Sequence, residues 1–395
     1  MTDSIVIVGA ARTPMGGMLG DLSAVPAAEL GGQAIAAAVA RAGVKPDRVG
    51  EVIMGNCLMA GQGQAPARQA ALKGGLPLSA GATTISKMCG SGLKAVMFAH
   101  DLLSAGSAEV MVAGGMENMS LAPYLLPKGR SGMRMGHDTV YDHMFLDGLE
   151  DAYDRGKAMG CFADATATKY DFSRAAQDAF ALESLARAQK AVTTGLFADE
   201  VAPVTIASRK GNITVEHDEQ PGKARPDKIP ELRPAFTKDG TVTAANASSI
   251  SDGAAALVLM READARAQGL KPLARIVGHA THSHEPEWFT TAPSGAIQKL
   301  LSKNAWSADS VDLWEINEAF AVVTLAAMKD FKLAHDKVNV HGGACALGHP
   351  IGASGARILV TLLYAMQRYD KNRGVAALCI GGGEAVALGV ERLTD

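Results

Sequence analysis

Apolar positions along the first hundred residues recur with two alternating periods. Ser4–Gly9 is a short β-branched run and predicts a strand. Ala27–Ala42 spaces its alanines and aliphatics every three or four residues and predicts an amphipathic helix. Val49-Gly-Glu-Val-Ile-Met-Gly55 predicts a second strand and Pro66–Lys73 a second helix. Thr83–Met88 reads as a strand running into Cys89-Gly-Ser-Gly92, followed by a helix over Leu93–Ala105 and a strand over Glu109–Ala113. Strands alternating with helices predict βαβ units and a mainly parallel sheet buried on both faces.

The pattern changes between about Leu121 and Ala244. Arg130–His137 is rich in Gly and Met, Asp142–Asp154 is acidic, a helix over Arg174–Thr193 carries mixed charges, and Ser208–Lys228 is polar with several basic residues. This stretch predicts an insertion resting on the core. The core pattern then returns and repeats. Val49–Asn56 parallels Val311–Glu318, Cys89-Gly-Ser-Gly-Leu93 parallels Gly352-Ala-Ser-Gly-Ala356, and Val112–Glu117 parallels Cys379–Glu384, at offsets of 262, 263 and 267 residues. Three matches in order predict two similar halves, with a site between them that takes a loop from each.

One stretch concentrates the unusual residues. Between the β-branched run Val338–Val340 and the apolar helical run Ile358–Tyr369 stand Gly342, Gly343, Gly348, Gly352 and Gly355, too many for a helix or strand interior. A strand, a compact loop and a helix start are expected, with Pro350 near the first turn and His349 on the loop. The helix would aim its free N–H groups at whatever binds there. The plain alternative is a strand–helix connection with a structural histidine.

Composition narrows the class. With 395 residues, 48% hydrophobic and 20% charged, the chain is long enough for two or three packed cores and too apolar to be disordered. A net charge of −3 leaves no basic footprint for nucleic acid. Ile5–Ala11 is too short to span a bilayer, and no other uncharged apolar run approaches that length. A cytoplasmic protein or one in an organelle lumen is expected, with no membrane partner. The five cysteines are odd in number, far apart and without a CxxC pair, so reduced thiols are expected in place of a disulfide framework or zinc site. Cys57 and Cys345 read as small buried hydrophobes.

Four loops fall at equivalent strand ends and carry Cys89, Asn317, His349 and Cys379; in open α/β sheets such loops meet where ligands bind. Cys89, at a helix N-terminus, would have its thiol pKa lowered there, and Gly90 and Gly92 would let an acyl group approach the backbone. Taken alone it could equally be a buried structural cysteine. His349 could accept the cysteine proton. Cys379 ends an apolar strand, and Ile380-Gly-Gly-Gly383 could turn N–H groups toward an oxyanion. Asn317 could hold a water or donate a hydrogen bond, or simply cap a helix. A metal site from His279, His282 and His284 beside Glu285 lacks any standard ligand spacing, and a polar loop is the preferred reading.

At these residues the chain resembles the thiolases over essentially its whole length. The matching motifs are Lys87-Met-Cys-Gly-Ser-Gly92, Asn246-Ala-Ser248, Asn317-Glu-Ala-Phe320, Gly348-His-Pro-Ile-Gly-Ala-Ser-Gly355 and Cys379-Ile-Gly-Gly-Gly383. The resemblance implies a five-layered αβαβα sandwich of two similar core domains plus a loop domain. The N-terminal core would take residues 1–120 and 245–270, the loop domain covering CoA residues 121–244, and the C-terminal core residues 271–395. It also implies acetyl-CoA acetyltransferase activity by ping-pong condensation. Cys89 would be acetylated while His349 takes its proton, and Cys379 would then deprotonate a second acetyl-CoA. His349 with a water on Asn317 would serve one oxyanion, and the N–H groups of Cys89 and Gly381 the other. The products, acetoacetyl-CoA and CoA, need no cofactor and no metal.

By the same resemblance Ser248 and Leu149 match positions touching pantetheine, Met159, Ala319 and Phe320 line the same tunnel, and Lys223 or Arg225 reach the CoA phosphates unless that loop is merely solvated. Ala158 stands where many relatives have histidine, and Phe289 where they have a pocket methionine. Longer or 2-methyl-branched acyl groups are therefore an alternative substrate class. The Gly/Met-rich loop around Arg130–His137 resembles a tetramerisation loop and implies a homotetramer. Two rivals share the fold. A β-ketoacyl synthase would normally pair its cysteine with two histidines, which Cys379 argues against, and a silent CoA-binding protein would not need all four reactive positions.

Overall fold

The structure, a computed structural model, describes residues 4–207 and 211–393. Its centre is one hydrogen-bonded sheet. Nine long strands are β1 (Ile5–Arg12), β2 (Glu51–Gly55), β3 (Gly81–Ile85), β4 (Val110–Asn118), β5 (Ser251–Arg261), β6 (Ala274–Ser283), β7 (Leu313–Ile316), β8 (Arg373–Ile380) and β9 (Glu384–Glu391). They run in the order β7-β8-β9-β6-β1-β5-β4-β2-β3, and Gly16–Gly17 pairs with the start of β5. Within the sheet, among the described residues, the two halves pair through Val6 with Arg275 and Ile7 with Ala274.

The expected mainly parallel sheet is corrected. Only β2–β3, β2–β4 and β7–β8 are parallel among the described strands. The other pairings are antiparallel, because β8 returns directly into β9 through Gly381–Gly383 and because β1 and β5 come from distant parts of the chain. The repeat is visible in space: β2, β3 and β4 of the first half correspond to β7, Val338 and β8 of the second. Val338 makes a single parallel bridge to Trp314 where a full strand over Val338–Val340 was expected.

Eight helices cover the sheet: α1 (Ala27–Ala42), α2 (Pro66–Lys73), α3 (Ser91–Ser104), α4 (Met159–Tyr170), α5 (Arg174–Thr193), α6 (Ala292–Lys303), α7 (Ala321–Phe331) and α8 (Ile351–Arg368). Alternation along the strands assigns the faces. Val110 and Val112 pack on α1 and α2, while Met111 and Ala113 face the middle layer of α3 and α8. That middle layer also receives Ala376 and Leu378 of β8, whose neighbours Val375 and Ala377 face α6 and α7. The layers are α1/α2, first half-sheet, α3/α8, second half-sheet, α6/α7.

α8 begins at Ile351, seven residues before the apolar run that announced it, so Gly352 and Gly355 lie inside a helix after all. Packing explains them. A Cβ on Gly355 would lie 2.4 Å from Leu93 N, and one on Gly92 would lie 2.7 Å from Ala356 N. The two central helices touch backbone to backbone, and only glycine permits that approach.

The residues between β4 and β5 add no strand to the large sheet. They form α4, α5 and two small pairings, Tyr124–Leu125 with Tyr141–Asp142 and Val204–Ile206 with Ile213–Val215. Of the polar stretch Ser208–Lys228, residues 208–210 lie outside the described residues. No helix among the described residues is long and apolar enough to cross a membrane.

Candidate active site

Cys89 sits in a tight turn between β3 and α3. Met88 before it has φ +46°, a conformation costly for a side chain of its size. Ser91 holds the turn, donating from Oγ to the Met88 carbonyl at 2.6 Å and accepting the Lys87 N–H at 2.8 Å. A Cβ on Gly90 would lie 2.4 Å from Ile380 Cδ1, so the loop of Cys89 rests directly on the strand end that carries Cys379. The Cys89 sulfur meets the N–H of Gly381 and its own N–H. Two donors converging there can serve an oxyanion on an acyl group attached to that sulfur.

The lowered thiol pKa expected from the helix N-terminus does not hold. Burial pushes Cys89 up to about 11; the two N–H groups pull it down, and the Glu117 charge adds to the rise. Cys379 is fully buried, and burial followed by the neighbouring Cys89 holds its thiol well above the ordinary value. The five cysteines are free.

His349 lies between the short helix Ala344–Leu347 and α8, its N–H bonded to the Ser249 carbonyl at 3.1 Å. Ser354 Oγ donates its one proton to the Pro350 carbonyl at 2.9 Å. It is therefore the acceptor in its 2.6 Å contact with His349 Nδ1. This contact assigns the ring proton to Nδ1, and Nε2, buried and without a hydrogen-bond partner among the described residues, keeps its lone pair. Burial, then the Arg357 charge, lowers this histidine to about 3, so it is neutral and able to accept a proton at pH 7. Ile351, in the first turn after His349, packs in one apolar cluster with Cys89, Leu149 and Leu58.

Asn317 follows β7 and bonds through its N–H to Ala377, two residues before Cys379, at 3.0 Å. Its Nδ2 is 3.4 Å from His349 Nδ1 and its Oδ1 is 3.5 Å from Arg357 Nη2. It does not cap α7, which starts from Phe320 without a side-chain hydrogen bond. The structure thus brings Cys89, Cys379 and Gly381 together, sets Asn317 beside His349, and connects the two groups through Ile351, which packs with Cys89, and through the Asn317 N–H to Ala377.

Three participants were missed in the sequence. Ser354 and Arg357 stand within the glycine-rich stretch but were not separated from it. Glu117 gave no signal beyond the repeat. It is fully buried, accepts the N–H groups of Cys57, Leu58 and Gly352 and the amide of Asn56, and is pushed up to about 7 by burial against the pull of those donors. It fixes the start of α8 to the loop after β2.

The acyl and CoA positions separate into three groups. Met159, Phe289, Ala319 and Phe320 share one apolar cluster with Cys379, with the Phe289 and Phe320 rings 6.5 Å apart. Ala158 precedes Met159 at the start of α4. Ser248 donates its N–H to the Ala319 carbonyl at 2.9 Å, tying the Asn246–Ser248 motif to the Asn317–Phe320 motif. Lys223 is a different case. It is already paired with Glu219 and, at 3.7 Å, with Asp21. A cavity of about 270 Å³ is lined instead by Arg225, Lys228, Leu232, Ala245, Ser249 and Cys345, and so reaches from two basic residues to the backbone that holds His349. The sequence reading passed over Lys228.

Of the three histidines, His282 and His284 stand with their rings 5.2 Å apart and His279 is directed away from them. His279 Nε2 contacts Asp101, His282 packs over Gly295, and His284 Nε2 contacts the Trp288 carbonyl.

Comparison with known proteins fits this geometry. The thiolase N-terminal domain model matches residues 5–263 and the thiolase C-terminal domain model residues 270–392. An acetyl-CoA acetyltransferase of Cupriavidus necator is 52% identical, covering 99% of this chain and 100% of that protein. The structure of an acetyl-CoA acetyltransferase from Syntrophomonas wolfei superposes with a TM-score of 0.96 at 40% identity, with both chains fully covered. The Acat5 thiolase of Ascaris suum in complex with coenzyme A superposes at 0.93 with 41% identity, covering 99% of this chain and 100% of that one. The chain belongs to the thiolase family.

Proposed function

We propose that this protein is an acetyl-CoA acetyltransferase that joins two acetyl-CoA molecules into acetoacetyl-CoA and CoA, and runs the reverse thiolysis. The observation that carries this reading is the meeting of Cys89 with Cys379 and the Gly381 N–H; we infer that His349, neutral and with its Nε2 without a partner among the described residues, faces them. Cys89 Sγ attacks the first thioester carbonyl while its proton passes to His349 Nε2. The carbonyl oxygen gathers charge between the N–H groups of Cys89 and Gly381. The C–S bond to CoA breaks, the proton from His349 leaves with the CoA thiol, and an acetyl group remains on Cys89. Cys379, once its own proton has passed to solvent, then takes as thiolate an α-proton from the second acetyl-CoA, whose enolate oxygen faces His349 and a water on Asn317. The enolate carbon attacks the acetyl carbonyl, and Cys89 departs and recovers a proton from Cys379.

The resting thiol and imidazole are both neutral, so proton transfer accompanies attack and does not precede it. The acyl group moves from thioester to thioester, and the reaction as proposed uses no metal or redox cofactor. CoA would lie with its pantetheine past Ser248 and Leu149, its acyl end against Met159, Ala319 and Phe320, and its phosphates near Arg225 and Lys228. Those two replace Lys223 in that role. A nucleophilic thiol and a thiol product suit a reducing compartment, and we place the protein in the cytoplasm. The exposed loop holding Met133 and Met135 supports a homotetramer, which light scattering tests.

Incubation with acetyl-CoA alone is the test. Acetoacetyl-CoA is expected without a carrier protein, and Cys89 should carry an acetyl group in rapidly quenched samples; a Cys89 left unmodified would contradict the reading. A second substrate class is favoured by one feature, the small Ala158 directly before Met159, which packs with Phe289 in the cluster holding Cys379. Thiolysis rates on acetoacetyl-CoA, 3-ketohexanoyl-CoA and 2-methylacetoacetyl-CoA decide between them.

A further inference from the structure

The fold brings together three ligating side chains that no step above uses. His100 and Asp101 lie in the later turns of α3, in the first half of the protein, and His279 lies on β6 of the second half. His279 Nε2 is 2.9 Å from Asp101 Oδ1, and His100 Nδ1 is 3.0 Å from the same oxygen. All three ligating atoms lie within 4.8 Å of one another. The imidazole rings stand 5.2 Å apart at 87°, and each presents a nitrogen to the same oxygen of the carboxylate.

We infer that His100, Asp101 and His279 form a binding site for a zinc-class divalent cation, remote in function from acyl transfer and linking the middle-layer helix α3 to the second half-sheet. Two imidazole nitrogens and one carboxylate oxygen are a donor set that suits Zn²⁺, Co²⁺ or Ni²⁺ and leaves a fourth position to water. The histidines are half-buried and Asp101 is exposed, which gives the ion a fixed seat with an open approach. Tetrahedral coordination at ~2.0–2.1 Å spaces ligand atoms roughly 3.4 Å apart. The two short contacts to Asp101 therefore open by about half an ångström on binding, within the reach of side-chain rotation. The set could not be read from the sequence, where His279 stands with His282 and His284; β6 turns His279 toward α3, while His282 packs over Gly295 and His284 contacts the Trp288 carbonyl.

Cysteine thiolates are zinc ligands in general, so the test separates this site from any uptake at Cys89 and Cys379. Chelator-stripped full-length protein is titrated calorimetrically with ZnCl₂, with MgCl₂ as the control ion. One binding event is expected that Cys89→Ser retains and that His279→Ala and Asp101→Asn each weaken at least about tenfold. The same event should raise the melting temperature of wild type and not of His279→Ala, with no effect of Mg²⁺. Zinc binding that survives His279→Ala unchanged, that disappears in Cys89→Ser, or that is never observed would overturn the site.

Discussion

Lys87 Nζ lies 2.6 Å from Glu384 Oε2. Lys87 is two residues before Cys89, and Glu384 directly follows the Gly381–Gly383 turn, so this ion pair ties the loop of one reactive thiol to the loop of the other. Ser283 Oγ supports it by donating to Glu384 Oε1 at 2.9 Å. Lys87→Met should lower kcat roughly ten- to a hundredfold, since small displacements of reacting groups are costly, with little change in the KM for CoA substrates. The double variant Lys87→Met with Glu384→Gln should be no worse than the more damaging single variant, which steady-state kinetics on all three checks.

A Cys89 thiol at about 11 and a His349 imidazole at about 3 predict how Cys89 titrates. Alkylation of the unliganded enzyme by iodoacetamide should quicken steadily with pH up to 9, without levelling near neutrality. A plateau near pH 7 would reveal a preformed thiolate–imidazolium pair.

The buried histidines contribute a loss of stability on the acid side. His349 is lowered to about 3 and His341 to about 4, in each case first by burial and then by nearby arginine charge. Between those values and the ordinary 6.5 the unfolded chain binds protons that the folded chain refuses, so stability falls as pH falls through that window. His349→Gln should flatten the decline of melting temperature between pH 6.5 and 4. An unchanged slope would count against a neutral buried His349.

Ala158 directly precedes Met159, a member of the apolar cluster that holds Cys379, and a larger side chain there would narrow the proposed acyl end. Ala158→His should lower kcat/KM for 3-ketohexanoyl-CoA relative to acetoacetyl-CoA by roughly 10- to 100-fold. Parallel thiolysis assays measure the ratio, and an unaltered ratio places Ala158 outside the acyl pocket.

Much of this was legible in the chain, for reasons that can be located. α1 spans the same Ala27–Ala42 that its apolar spacing announced, and Gly43 in the left-handed region ends it. The repeat revealed the two halves because each reuses the same strand–helix–strand plan. Gly352 and Gly355 were misread because a glycine count cannot distinguish a loop from a helix pressed against another helix. Strand direction was misread because β1, β5 and β6 find their partners across long stretches of chain. The rise of the Cys89 thiol was invisible, since a helix terminus can be read from sequence but desolvation cannot. Lys87 with Glu384, like Asp101 with His279, exists only once both halves are folded together.

The central claim gives the two thiols different tasks, and Cys379→Ser tests it most directly. Mixed with acetyl-CoA in a rapid-quench experiment followed by mass spectrometry, this variant should acetylate Cys89 and release one CoA per site, yet form no acetoacetyl-CoA. Condensation at the wild-type rate, or failure to acetylate Cys89 in a folded protein, would contradict the account.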